Sequence, residues 1–449
     1  MEITYTPLNQ RVPRYSGAKS FGCVTAIGGP LITAKIPFSA VGDLCKIPVQ
    51  NRSISAQVVS FKDNIVKLAP LDDPHGIHPG SVVINSGLPL IIYPPSNLLG
   101  KIIDVMGQEL QYGAETEPCK RGTCNTYKGV ICIDRKPPEP LARPQIQEQM
   151  FCGVKCIDAF CPIGYGQRLG LFAGPGVGKS TLLGIIAAQA QVDVTVIALV
   201  GERSREVPDF INDVLGSGGL EKSVVVVATS DECAARRALA PQTATAIAEH
   251  FRDQGLNVLL LVDSLTRTAR ALREVGLAAG EIPVRQGFPA SVYAELPKIL
   301  ERAGTAEKGS ITGIYTVLTQ GEQAQDALSE EVKSLLDGHI VLDPAIAEKG
   351  ILPAFDITTS ISRLQSKLLT KRELVEVRAL KAAAASLKKN KEILLFGGTP
   401  DPELKAALKI EDDLNNFIIQ SPSDHYPQNI KEIISKIART YTQSIKSIH

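Results

Sequence analysis

Up to about Pro94 the apolar residues of this chain come in short, β-branched runs broken by turn residues. "CVTAIGGPLITAKI" sets two such runs on either side of Gly-Gly-Pro, and "SAQVVSFKDNIVKLAPL" sets two more around Lys62-Asp63-Asn64. Short strands at even spacing predict a small β-barrel or sandwich. The Pro-rich passage "RKPPEPLARPQI", Arg135 to Ile146, predicts an extended strap. From about Gly153 the pattern changes. "RLGLFA", "DVTVIALVG", "SVVVVATS" and "NVLLLVDS" are almost continuously apolar, and stretches with helical character separate them. Strands without a polar face, alternating with helices, predict a parallel sheet covered on both sides. Beyond about Thr370, "KRELVEVRALKAAAASLKKNKEILLF" and "DPELKAALKIEDDLNNFII" carry helical spacing. A last amphipathic helix follows, whose apolar side reads as an ordinary packing face. The predicted divisions are 1–94, 95–370 and 371–449.

Size and charge narrow the classes. With 449 residues, 44% of them hydrophobic and 21% charged, there is material for two or three domains around a large core. A net charge of +1 gives no overall basic field to recruit nucleic acid or an anionic membrane. The start, "MEITYTPLNQRVPRYSG", lacks the cationic-then-apolar pattern of a signal peptide, and the apolar runs are too short to span a bilayer. A cytosolic chain is expected. Nine cysteines, among them Cys119, Cys124, Cys132, Cys152, Cys156 and Cys161, include no CxxC pair. They read as reduced thiols packed as small hydrophobes rather than as a zinc site. His75 and His78, in "DDPHGIHPG", read as solvated turn residues.

The candidate chemistry lies where strands end. "RLGLFA" opens into "GPGVGKST" and then an apolar helix. Glycines at 174, 176 and 178 let backbone N–H groups turn inward around a phosphate without Cβ clashes. Gly174, Pro175, Gly176, Val177, Gly178, Lys179, Ser180 and Thr181 therefore form the candidate nucleotide-binding loop. In that pattern Lys179 reaches the β- and γ-phosphates, Ser180 offers its hydroxyl to Mg²⁺, and the helix N-terminus faces the anion. The strict motif asks for glycine at 173, where this chain has Ala173; the order strand, loop, helix carries the assignment instead. In "NVLLLVDSLTR" an apolar run delivers Asp263 to the C-terminal end of a buried strand, where a carboxylate can hold the hydration shell of Mg²⁺.

A third strand end is more crowded. "ALVGERSREVPDF", Ala198 to Phe210, runs from an apolar strand into Glu202, Arg203, Arg205, Glu206 and Asp209. This strand is expected beside the phosphate-loop strand, with Glu202 at the same sheet edge, where it can orient the water that attacks the γ-phosphate. Arg203 is expected near the phosphates or a neighbouring subunit. Arg205 to Asp209 also allow a plainer reading, as ion pairs at helical i+3 and i+4 spacing.

Together these motifs resemble the flagellar and type III secretion export ATPases, relatives of the catalytic β-subunit of rotary ATP synthases. The resemblance rests on "GPGVGKS", "GERSREVPDF" and "LLLVDSLTRTARALREVGLAAGE". It continues through "GVKCIDAFCPIGYGQRLGLFAG", "LPKILERAGTAEKGSITGIYTVL", "LDGHIVL" and "LLGKIIDVMGQEL", over nearly the whole chain. It implies a multidomain α/β fold: an N-terminal β-barrel, a central RecA-like P-loop NTPase domain with a parallel sheet, and a C-terminal helical domain. It also implies ATP hydrolysis with Mg²⁺. Lys179 and Ser180 would take the phosphate and metal roles, Glu202 the general base and Asp263 the acid beside the metal, while Arg203 matches the arginine after the base. Arg363, in "PAFDITTSISR", matches an arginine finger given to the adjacent subunit's nucleotide, so a homo-hexamer with ATP at each interface is implied. Such a finger is worth roughly 10³–10⁵ in rate. The implied partners are a coiled-coil stalk protein, a stator-like regulator, export chaperones, secreted substrates and a membrane export gate. The implied location is the cytoplasmic face of the bacterial inner membrane.

Some positions depart from the family pattern. Leu352 stands where related subunits carry an adenine-stacking aromatic, which predicts looser base discrimination. "TQGEQAQDALSEE", from Thr319, replaces a more acidic segment, and "VRQGFPAS" has its arginine at 285 with Gln286 in the usual slot. Little precedes the first expected barrel strand, where family members often have a regulator-binding helix. A catalytic β-type subunit of a rotary synthase shares Lys179 and Glu202, but "REVGLAAGE" and Leu352 count against it. An RNA-translocating hexamer should present basic and aromatic residues together. The N-terminal region has only isolated Tyr5, Tyr15, Phe21, Phe38, Phe61 and Tyr93, so no nucleic-acid partner is expected. A ring subunit that binds nucleotide without turnover has no need of Lys179, Glu202, Asp263 and Arg363 together. The flagellar and virulence-type branches share every motif quoted.

Overall fold

The computed structural model describes residues 19–50, 52–95, 97–110, 130–319, 326–395, 399–424, 426–427 and 429–448. The expectations on the extreme N-terminus, on Cys119 and Cys124, and on residues 320–325 of "TQGEQAQDALSEE" fall outside them.

Alternation of apolar and polar residues closes a barrel, rather than a sandwich, at the N-terminal end. Among the described residues its strands are β1 (Ser20–Gly28), β2 (Leu31–Lys35), β3 (Leu44–Val49), β4 (Arg52–Lys62), β5 (Ile65–Pro70) and β6 (Val82–Asn85), in the order β1-β2-β5-β4-β3-β6. In β3, Cys45, Ile47 and Val49 are buried and the residues between them are exposed, the period of a barrel wall. Asp63, at φ +55°, turns the chain between β4 and β5 at the predicted hairpin.

The central sheet contains β7 (Lys101–Asp104), β8 (Arg168–Ala173), β9 (Val194–Glu202), β10 (Ser223–Thr229), β11 (Asn257–Asp263), β12 (Ser310–Leu318), β13 (Gly338–Leu342) and β14 (Ile361–Ser362). Their order is β14-β13-β8-β12-β11-β9-β10-β7. From β13 to β7 every pairing is parallel, and β14 runs antiparallel to β13. In β9, Ile197 and Leu199 enter a core shared with α1 (Lys155–Phe160) and α2 (Lys179–Gln189). Val196, Ala198 and Val200 enter a second core, shared with α3 (Ala234–Arg252) and α4 (Leu265–Ala279). Both faces are covered, which is why the strand shows no alternation.

One expectation fails. β9 does not lie beside the phosphate-loop strand β8, because β12 and β11 stand between them. Consecutive strands are often neighbours, but β12, formed much later in the chain, pairs with both β8 and β11. The common edge survives this correction. The parallel strands all point the same way, so Ala173, Asp263 and Glu202 end β8, β11 and β9 on one side of the sheet.

The C-terminal helices α5 (Lys371–Leu395), α6 (Pro402–Ile418) and α7 (Ile430–Ile448) pack on one another, and α6 and α7 also meet α1. Leu404, Ala407, Ile410, Leu414 and Phe417 form the buried stripe of α6, and Phe417 meets Phe160 edge-on at 6.0 Å. Ile430, Ile434, Ile437 and Tyr441 bury the expected packing face of α7. Cys152, Cys156 and Cys161 lie in the same core, where burial pushes the Cys161 thiol up to about 12. The Pro-rich strap is held along the domain by Arg143, which donates to the carbonyls of Ala303 (2.9 Å) and Glu301 (2.5 Å). Among the described residues no helix is long and apolar enough to cross a membrane.

Candidate active site

The loop after β8 has the geometry its glycines predict. Gly176 and Gly178 adopt φ +76° and +78°, a region that side chains disfavour. Ala173, by contrast, is an ordinary strand residue whose carbonyl accepts from Thr319 N (3.0 Å), so position 173 has no need of glycine. Gly178 caps α2, which leaves the first-turn N–H groups of Lys179, Ser180 and Thr181 without partners inside the helix. The hydroxyl-bearing Ser180 and Thr181 are exposed. Leu352 flanks this loop: a Cβ on Gly178 would stand 3.5 Å from Leu352 Cδ2.

Three strand ends converge here. Lys179 Nζ lies 2.5 Å from Asp263 Oδ1 and 4.0 Å from Glu202 Oε1. Asp263 is 3% exposed. Burial raises the Glu202 pKa above the ordinary carboxylate range, and the charge of Asp263 adds to the rise; Arg267 and Lys179 oppose it. A carboxylate with a raised pKa is a better proton acceptor than a free one, which suits a general base.

Comparison with known proteins identifies the architecture. The model of the ATP synthase alpha/beta family nucleotide-binding domain matches residues 153–362, and that of the family's beta-barrel domain matches residues 24–87. The flagellum-specific ATP synthase of Bacillus subtilis is 41% identical over 427 residues, covering 93% of this chain and 94% of that protein. The chain belongs to the ATP synthase alpha/beta family, among its flagellar and type 3 secretion ATPases. The type 3 secretion system ATPase of Xanthomonas euvesicatoria is 42% identical over 367 residues, 81% of each chain. The assembled ATPase EscN of the enteropathogenic E. coli type III secretion system superposes with a TM-score of 0.85 at 40% identity, over 93% of this chain and 100% of that one. EscN in complex with its central stalk EscO gives 0.81 at 40% identity, over 94% and 100%. These relatives support an export ATPase over a rotary synthase subunit or an RNA translocase.

The two remaining arginines of this ATPase stand apart from the cluster. Arg203 has a side chain 68% exposed and pairs with Glu206 at 3.5 Å, the plainer i+3 contact. Arg363 follows β14 at the outer edge of the sheet and is exposed; its side chain donates to the Lys333 carbonyl (3.3 Å) and its backbone N–H to that of Asp337 (2.9 Å). Gln286, at φ +46°, accepts from Ala327 N (2.7 Å), and Arg285 lies 3.8 Å from Glu331.

Sequence reasoning passed over two residues. Arg267, in the first turn of α4, donates to Glu202 Oε1 (2.6 Å) and to the Gly201 carbonyl (2.7 Å). It packs so closely that a Cβ on Gly201, itself at φ +64°, would come within 3.2 Å of Arg267 Cδ. The signal was available in "VDSLTR", where a cation follows Asp263 by one helical turn. The other is Thr316 on β12, whose hydroxyl reaches Asp263 Oδ1 (2.7 Å).

Proposed function

We propose that this ATPase works as one of six identical subunits in a ring, and that its turnover of ATP energises flagellar or type 3 protein export. The observation that carries the reading is the convergence of Lys179, Asp263 and Glu202 at one sheet edge, with Lys179 within 4.0 Å of both carboxylates. In this reading the loop from Gly174 through Pro175, Gly176, Val177 and Gly178 cradles the phosphates together with the N–H groups of Lys179, Ser180 and Thr181. Lys179 turns from Asp263 toward the β- and γ-phosphates. Glu202 orients the attacking water and accepts its proton.

Ser180 and Asp263 offer a hydroxyl and a carboxylate, hard oxygen donors that fit Mg²⁺. Among the described residues no three or more of His, Cys, Asp and Glu gather as a metal cage would need, and Mg²⁺ shared with phosphate oxygens needs none. Mg²⁺ when bound supplies neutralisation of the phosphate charge.

The exposed edge position of Arg363 supports its donation to the next subunit's nucleotide, and the exposure of Arg203 beside Glu202 supports a role at the same interface. The likeness to assembled EscN, and to EscN with its central stalk, supports a hexamer around a coiled-coil stalk. A stator-like regulator, export chaperones with their substrates, and a membrane export gate complete the proposed partners, with no nucleic acid, at the cytoplasmic face of the inner membrane. The proposed working units are a barrel collar (1–94), the ATPase domain (95–370) and the helices (371–449) that surround the stalk and face the gate.

Steady-state ATP hydrolysis against protein concentration, with sizing of the same samples, tests this on wild type, Glu202→Gln and Arg363→Ala. Specific activity should climb as rings form. Glu202→Gln should lose roughly 10²–10⁴-fold and Arg363→Ala roughly 10³–10⁵-fold, while both still bind nucleotide. Assembled wild-type rings without turnover, or a harmless Arg363→Ala, would sink the shared-site mechanism.

A further inference from the structure

One buried hydroxyl at the phosphate-loop end of the sheet has no role in the scheme above. β12 is apolar along most of its length and buried on both faces, so a hydroxyl within it must find an acceptor. Thr316 is fully buried, and its Oγ1 lies 2.7 Å from Asp263 Oδ1 and 3.3 Å from the Val262 carbonyl. A hydroxyl has one proton to give. The nearer acceptor is also the charged one, and charge-assisted hydrogen bonds are the stronger kind. Thr316 therefore donates to Asp263.

Two donors thus meet on the same carboxylate oxygen, and they differ in freedom. Lys179 approaches at 2.5 Å on a long unbranched stem from the phosphate loop. Thr316 is short, β-branched and stiff at χ1, and stands on a strand paired on one side with β8 and on the other with β11. Its register neighbour in β8 is Leu171, and Val262, next to Asp263, pairs with Tyr315. Lys179 has a second task at the nucleotide. Thr316 has none, and the other acceptor its hydroxyl meets, the Val262 carbonyl, is farther away and uncharged.

We propose that Thr316 is a positioning residue for the ATPase reaction, its hydroxyl fixing the orientation of the Asp263 carboxylate when Lys179 moves to the phosphates. This rests on the reading of Asp263 as the acid beside Mg²⁺. Groups that orient a metal-side carboxylate from behind typically matter 10–100-fold in metal affinity or activity.

The test uses full-length Thr316→Val, which keeps the shape and removes the hydroxyl, Thr316→Ser, which restores it, and Asp263→Asn as the reference. Binding of a fluorescent ADP is measured with and without Mg²⁺, alongside kcat, KM and thermal melting. Thr316→Val should bind the nucleotide as wild type does without Mg²⁺, lose roughly 10-fold of the affinity gained on adding Mg²⁺ with a matching rise in KM, and lose roughly 10–100-fold in kcat. Thr316→Ser should recover most of both. If Asp263→Asn abolishes the Mg²⁺-dependent gain while Thr316→Val keeps it, the inference on Thr316 is overturned and the reading of Asp263 stands. If Asp263→Asn keeps the gain, the reading of Asp263 fails and takes the inference with it. A Thr316→Val protein that melts early and weakens binding equally with and without Mg²⁺, unrescued by serine, would assign the residue to packing and overturn the proposal.

Discussion

Arg267 has two duties toward Glu202: it holds the carboxylate in position and offsets part of the pKa rise that burial causes. Removing it leaves Lys179, at 4.0 Å, as the counter-charge. Burial and Asp263 then act with less opposition, and the Glu202 pKa rises further. A general base works only when deprotonated, so activity falls as pH drops through its pKa. Arg267→Ala should therefore lower kcat and move the acid limb of the pH–rate profile to higher pH; an unmoved limb would show that Arg267 does not tune Glu202. At this scale Lys179, Ser180 and Asp263 are legible because short motifs carry them within a few residues of a strand end. Arg267 and Thr316 act on partners far away in sequence, and only the strand order brings them together.

At the scale of elements, hydrophobic periodicity predicts the barrel, the buried strands and the C-terminal helices. Periodicity reports which faces are buried. It does not report which strand lies next to which, and that is why the neighbour expected for β9 was wrong while its edge was right. The joint between α1 and the α6–α7 connection was also illegible. There Asp158, buried, accepts from Cys152 N (2.9 Å), Gly153 N (3.1 Å) and Tyr426 Oη (2.7 Å). The side chain of Gln420 accepts from Lys155 N (2.9 Å) and donates to the Gly153 carbonyl (2.7 Å). Burial pushes the Asp158 carboxyl up to about 6, whereas an unfolded chain titrates near about 4. Between those values the native state keeps a proton that the unfolded state has released, so stability falls as pH rises through the window and is free of this loss below it. The loss amounts to about 3 kcal/mol at most. Asp158→Asn should flatten the dependence of melting temperature on pH between 4 and 6 relative to wild type, whatever it does to absolute stability. Parallel curves for the two proteins would contradict the assignment.

For the whole molecule, the proposed loan of Arg363 to a neighbour's nucleotide predicts complementation. Glu202→Gln lacks the base but keeps the finger, and Arg363→Ala has the reverse defect. Mixed before assembly in equal amounts, the two inactive proteins should regain activity, since roughly a quarter of randomly formed interfaces pair an intact base with an intact finger. Activity no greater than the sum of the separate proteins would confine each site to one chain. The edges of the sheet bear on how such neighbours meet. β14, beside Arg363, is two residues long, and β7 at the opposite edge is four. Neither rim carries a ladder of peptide groups long enough to template another strand. Subunits joined there would do so by side chains and leave their backbones unmarried. A union of that kind can be undone and remade without tearing a sheet, so the proposed ring should be a population that rises and falls with protein concentration.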